Sequence, residues 1–466
     1  MPTYPEKLIT DIALIGENYF IDPEVKVISG KEFLHWNTTL LVLSYVLDAN
    51  PLIVGEPGFA KTTAAKVIAS VMSGLPFDLY EAAQIQGHPD QTFETMIARP
   101  DFSKLAREES VIWLLSAYLQ VRIIDEINRL PTGKQDELLN ALQTGRFNYL
   151  NATFFSGRTP FFATANHPDD GNHILIPPIR DRFTISLELG HIGASYRKDI
   201  RRAKENIAEL CQEPLTCSVI GLINDKSISI VDKLKRIQQE QSKFARIIES
   251  EPMNGHVFSA EDRINTKQEI WKVPLTSEAE ALLQIIDSEL NNTYNFGRKR
   301  SNDPIDSSNH AFSLASTKTH NAFSPRGALD GLEDYAKALA YLGGVKEVNK
   351  DYLVAIAPHI LGHRLEFTND FAKLHNLSKR EGMYGCTREM HLSQKLVKEV
   401  ELNYASVKAD LDLLMIYQKE KKGDLVKAEL KLTEALRARA EELMQNSDLV
   451  DHPLLKEYIG RLNSGR

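Results

Sequence analysis

The stretch PLIVGEPGFAKTT at 51–63 constrains this chain more than any other. Pro51 to Val54 read as a buried strand, Gly55-Glu56-Pro57-Gly58-Phe59-Ala60-Lys61-Thr62 as a glycine-rich turn, and Thr62 to Met72 as a helix. A turn of this kind points backbone N–H groups inward, and the helix start adds the positive end of its dipole, so the segment is built to cradle phosphate. Residues 55–62, with Thr63 beside them, are the candidate phosphate ligands. Lys61 is expected to reach the β- and γ-phosphates, and the Thr62 hydroxyl to ligate Mg²⁺. Ala60 stands where a glycine usually precedes the lysine; its cost stays modest provided its φ is negative.

A second apolar run, VRIIDEINRL at 121–130, delivers Asp125 and Glu126 to a strand's carboxyl end, where open α/β sheets place their ligands. Asp125 is expected to hold Mg²⁺, and Glu126 to take a proton from an attacking water. A third run, FFATANHP, ends in Asn166, an amide placed to hydrogen-bond that water. Read alone, Asn166 is equally an Asx-turn residue. Strands at 51–54, 121–124 and 161–165 alternate with helical patterns at 33–47, 62–72 and 134–142. That alternation predicts βαβ units and a mainly parallel sheet covered on both faces.

Composition narrows the class. The 466 residues carry 55 Lys+Arg against 63 Asp+Glu, a net charge of -8, with 42% hydrophobic and 25% charged residues. This is a globular balance and not a disordered one, and its acidity speaks against a dedicated nucleic-acid binder. Cys211, Cys217 and Cys386 form no disulfide framework, which points to a reducing, cytoplasmic setting. The N-terminus reads as no secretory signal. The most apolar window, VIWLLSAYLQVRIID, is broken by Arg122, so no membrane insertion is expected.

From about 196 to 365 strand signals fade and amphipathic helical spacing takes over. A polar stretch from Asn291 to Phe323, holding the basic run GRKR at 297–300, reads as a long loop. Beyond 366 the pattern is helical and charged. Leu425, Leu432, Leu436 and Leu443 share one face, Gly423 breaks the helix before them, and Pro453 opens a last short helix. His359 and His363 lie four apart without a third ligand or an HExxH glutamate, so packing is the expectation. His88 reads as a turn residue. Arg129 is open between an intersubunit role and a helix-end role.

Taken in order, GEPGFAKT, IIDEINRLP, ATANHP, IRDRF and SPRGAL resemble the MoxR-type AAA+ ATPases over residues 28–365. Ala60 matches that family's form of the loop. The resemblance implies an α/β fold: an AAA+ P-loop αβα nucleotide-binding domain at 1–195, an all-helical lid with insertions at 196–365, and a C-terminal helical extension at 366–466. It implies ATP held with Mg²⁺ between subunits of a ring, usually a hexamer. Asn166 then corresponds to sensor 1, Arg182 to the arginine finger (with Arg180 two residues away) and Arg326 to sensor 2. The stretch 145–162 corresponds to a hairpin before the sensor strand, and 84–101 to an insert facing pore and substrate. Insertions enlarge the lid near 212–250 and at 291–323.

The function expected is a ring ATPase that remodels or activates a protein client, with a von Willebrand factor A-domain protein as the family's common partner. An AAA+ nucleic-acid motor or loader is the alternative, and an ATP-gated scaffold a weaker one.

Overall fold

Strands buried on both faces belong to the middle of a sheet, and two such runs, Pro51–Val54 and Phe161–Ala165, set the architecture. The computed structural model describes residues 2–90, 92–101, 111–150, 152–155, 157–167, 173–292, 314–377, 386–422, 433–445 and 452–464. Five strands form the main sheet: β1 (Pro51–Val54), β2 (Ile85–Gln86), β3 (Arg122–Asp125), β4 (Phe161–Ala165) and β5 (Ile185–Glu188). Their order is β5-β1-β4-β3-β2, and every pairing is parallel. All residues of β1 and β4 are buried. Parallel register brings Val54, Ala165 and Glu188 to the same edge, with Asp125 beside Gln86 on the other half.

The chain divides into two compact units. The first comprises Met1–Pro274, Asp334–Lys346 and Arg380–Thr387; the second comprises Leu275–Glu333, Glu347–Lys379 and Arg388–Arg466. In the first unit, helix Lys61–Ser73 follows β1 and stops at Gly74, whose φ of +68° lets its N–H turn back to Ser70. Helix Thr132–Thr144 follows β3, opened by Pro131 and stopped by Gly145 at φ +66°. The expected helix over 33–47 is shorter, Trp36–Val46, because Lys31–Leu34 pairs antiparallel with Val25–Ile28.

The hairpin expected at 145–162 is present as Arg146–Tyr149 paired with Ala152–Phe155, running directly into β4. The stretch 84–101 opens as the edge strand β2, continues through helix Phe93–Met96 and ends in Ala98–Pro100, which pairs with Val111–Trp113. Phe154 of the hairpin packs against Trp113 and Tyr118 at ring distances of 5.3 and 5.1 Å. Residues 196–274 are helical as expected, and they pack within the first unit. Helix Ile230–Ile248, capped by Ser229, buries Lys233, Ile237, Gln241, Phe244 and Ile248, one face at three- and four-residue steps.

Among the described residues of the second unit the elements are helices, including Ser277–Asn291, Lys350–Leu361, most of Thr387–Lys422, Glu434–Gln445 and Pro453–Ser464, beside two isolated β-bridges. The last begins at the expected proline. Glu289 and His452 are fully buried and face each other at 3.3 Å, with Asn403 also donating to Glu289. Gly423, Leu425, Leu432 and the GRKR run lie outside the described residues. Of the expected leucine face, Leu443 is buried and Leu436 is 47% exposed. Among the described residues no helix is long and apolar enough to cross a membrane.

Candidate functional site

The loop after β1 takes a conformation that its residue types permit unequally. Gly55 has φ +152°, and a side chain there would meet the Leu189 carbonyl at 2.3 Å, so only glycine fits. Gly58 follows at φ +87°. Ala60 also has positive φ, +57°, contrary to the negative value on which a modest cost depended. A left-handed alanine costs roughly 1–2 kcal/mol. The loop holds that strain to aim the first turn of helix Lys61–Ser73.

Lys61 is 6% exposed and folds over the loop. Its Nζ donates to the carbonyls of Gly55 and Glu56 and to Asn166 Oδ1, each at 2.9 Å. Burial pulls its pKa below the usual lysine value, while Asp125, Glu126 and Glu56 oppose that shift. Beside it, Asp125 Oδ1 accepts from the Thr62 hydroxyl at 2.5 Å and from the Thr164 hydroxyl at 2.6 Å. A carboxylate gathered with hydroxyls at one point is the hard-oxygen donor set that Mg²⁺ takes, so the residues fit the ion.

Glu126 sits at φ +52°, a left-handed position uncommon for a residue with a side chain. Three neighbours hold it there. Its N–H donates to Thr164 Oγ1 at 2.9 Å, Asn166 Nδ2 donates to Oε1 at 2.6 Å, and Arg129 Nε lies 2.8 Å from Oε2. Gly87 packs on its carbonyl, where a Cβ would come within 2.1 Å. Asn166 thus bridges Lys61 and Glu126 through the two ends of one amide. Its own backbone is bracketed by Asn128, whose Nδ2 donates to the Asn166 carbonyl at 3.0 Å and whose Oδ1 accepts the Asn166 N–H at 3.4 Å.

The sequence-predicted residues Lys61, Thr62, Asp125, Glu126 and Asn166 therefore meet at the carboxyl edge of β1, β3 and β4. Arg129 has an intrachain partner in Glu126, which neither reading of it anticipated. Thr164 and Asn128 were missed. The one available signal for Thr164 is a hydroxyl inside an otherwise apolar buried strand.

Arg182, at the end of helix Pro177–Arg182, keeps about a fifth of its side chain exposed and donates to Gln143 Oε1 at 3.1 Å. Arg180 is 2% exposed, so the two differ in accessibility, with Arg182 also paired to Asp181 at 3.5 Å. Arg326 belongs to the second unit, immediately before the π-helical turn Gly327–Glu333. His363 is fully buried with Nδ1 3.2 Å from the His359 carbonyl, and His88 accepts from the Asp90 N–H in a turn. Among the described residues no cluster of three metal-ligating side chains forms.

Residues 50–183 match the AAA domain family, dynein-related subfamily, and residues 311–379 match the AAA lid domain. No curated protein matches the sequence. Among the solved structures that match is that of a Cytophaga hutchinsonii protein described as a presumed ATPase. It is 16% identical, with a TM-score of 0.53, over 85% of this chain and 94% of that one, a likeness of fold.

Proposed function

We propose, for a chain that carries an AAA+ ATPase domain and an AAA lid, that it is a MoxR-like motor hydrolysing ATP in a ring to remodel or activate a protein client. The observation that carries this reading is the Asn166 amide joined to both Lys61 and Glu126. One side chain ties the group that would hold the γ-phosphate to the group that would receive the water's proton. Loop N–H groups and Lys61 would bind the phosphates, and Thr62 and Asp125 would hold Mg²⁺. When bound, the ion neutralises charge developing on the phosphoryl oxygens. Glu126, held by Asn166 and Arg129, would orient the attacking water and accept its proton.

Arg182 would act on a neighbouring subunit's nucleotide, and its surface position supports that choice over Arg180. Arg326 would reach the γ-phosphate from the lid. AAA+ proteins usually assemble as rings, and a hexamer is the ring proposed here. The net charge of -8 favours a protein client over nucleic acid, and a von Willebrand factor A-domain protein is the partner proposed. The cytoplasm is the proposed location.

Glu126→Gln should keep ATP binding while turnover falls about 10²-fold or more, the scale of a lost general base. Trapped with ATP in a lysate, that variant should retain a protein client. Undiminished hydrolysis would remove Glu126 from its role, and nuclease-sensitive nucleic acid in the trap would replace the client reading with a nucleic-acid motor.

A further inference from the structure

The residue after Asn166 makes a second connection. His167 Nε2 lies 2.8 Å from Glu188 Oε1 at the end of β5, and both side chains are largely buried, 17% and 18% exposed. The other oxygen of Glu188 accepts both the backbone N–H and the hydroxyl of Thr387, the first residue of the 36-residue helix Thr387–Lys422. Glu188 is itself built onto the phosphate loop. It stands in register with Val54, and the next residue, Leu189, donates its N–H to Val54 and presses its carbonyl against Gly55.

Among the described residues, the charges acting on the imidazole include Glu188 from β5, Glu56 from the loop and Lys61 from the helix behind it. The hydrogen bond to Glu188 holds the ring above the ordinary imidazole range against the effect of burial. Glu56 adds to this and Lys61 opposes it. Phosphate groups bound at Lys61 would neutralise a cation that repels a ring proton and add negative charge of their own.

We infer that His167 is a positioning residue that takes up a proton from solvent when nucleotide enters the loop, strengthening the Glu188 clamp on Thr387. A protonated ring makes the contact to Glu188 charge-assisted, which shortens and stiffens it. The carboxylate is then pinned with its second oxygen towards Thr387. Coupling of this kind is reciprocal: if nucleotide raises the ring's proton affinity, protons raise nucleotide affinity by the same factor. Each pKa unit of displacement corresponds to about tenfold in affinity between the pH limits.

The inference rests on the nucleotide reading of the loop, and calorimetry separates the two. The full chain is titrated with Mg²⁺ and ADP, which is not turned over, from pH 6.5 to 8.5 in buffers of different ionisation enthalpy. Wild type should take up more protons per ADP than His167→Gln, and its affinity should rise several-fold more towards low pH. The difference between the proteins cancels the nucleotide's own phosphate titration. Amide hydrogen exchange at Thr387 should slow on ADP binding in wild type and less so in His167→Gln. Glu188→Gln, which keeps the ring but not its partner's charge, should also lose the extra proton uptake. Equal proton uptake in wild type and both variants, with ADP still bound, would overturn the inference and leave the loop reading standing. Failure of wild type to bind ADP would overturn both.

Discussion

Asp11 carries a stability prediction whose sign and size follow from its surroundings. It lies on helix Tyr4–Asn18 and is fully buried. Its Oδ1 accepts the His256 backbone N–H at 2.8 Å, and among the described residues its Oδ2 has no hydrogen-bond partner. Burial pushes its pKa up from 3.8 to about 6, against the pull of His256 and Lys7. Two pKa units correspond to about 3 kcal/mol. The folded chain binds this proton more tightly than the unfolded chain, so the contribution to stability is fully present below about pH 4. It is lost as pH rises through 6.

Asp11→Asn keeps an acceptor for His256 and removes the charge, but it places a donor where Oδ2 has no partner, at a cost of about 1–3 kcal/mol. The variant should therefore be the less stable protein near pH 4.5 and equal to or more stable than wild type at 7.5. The gap between them should move by about 2 kcal/mol across that interval, or about 3 °C in Tm for a unit of this size. Thermal unfolding of both proteins at matched pH values reads it directly, since every other titrating group is common to the pair. Parallel Tm curves would refute the assignment of a buried, charged Asp11.

Two further outcomes concern the nucleotide. Lys61→Ala should lose nucleotide affinity measurable by calorimetry, because a charge-assisted phosphate contact disappears; unchanged affinity would count against the loop. Arg182→Ala should bind ATP normally yet lose about 10³–10⁵ in rate, the usual worth of a finger. Mixing it with Glu126→Gln should restore part of the activity at junctions where one subunit supplies the base and its neighbour the finger. Full activity of Arg182→Ala alone would place site completion within a single chain.

The features legible in the sequence were those whose chemistry is local. A strand, a glycine-rich turn and a helix in succession declare a phosphate loop, and an apolar strand ending in Asp125-Glu126 declares its acidic partner. What the sequence withheld depends on strands far apart in the chain. Thr164 and Asn128 act only because β4 lies between β1 and β3, so a hydroxyl and an amide with no motif of their own reach Asp125 and Asn166. Arg129 stays open between an intersubunit and a helix-end role until Glu126, in its left-handed conformation, is seen 2.8 Å from it. Ala60 could not reveal the sign of its φ, since alanine tolerates either conformation at a cost that a functional loop can bear. Periodicity identified the helices over 196–274 but carried no information about the unit on which they pack.

The sheet order also explains why two adjacent residues can serve different ends. β4 is the middle strand, with β1 then β5 on one side and β3 on the other. Asn166 leaves β4 and spans its two immediate neighbours, touching Lys61 beyond β1 and Glu126 beyond β3. His167, one residue further, reaches past β1 to Glu188 on β5. The exit of a single strand thus joins Lys61, Glu126 and the Glu188 carboxylate that accepts from Thr387. Asn128 brackets the Asn166 backbone from both its N–H and its carbonyl, which fixes where the chain leaves β4 and so holds the Asn166 and His167 contacts in one frame. Loss of the Asn128 amide should accordingly weaken the link between the two contacts while leaving the residues that make them in place.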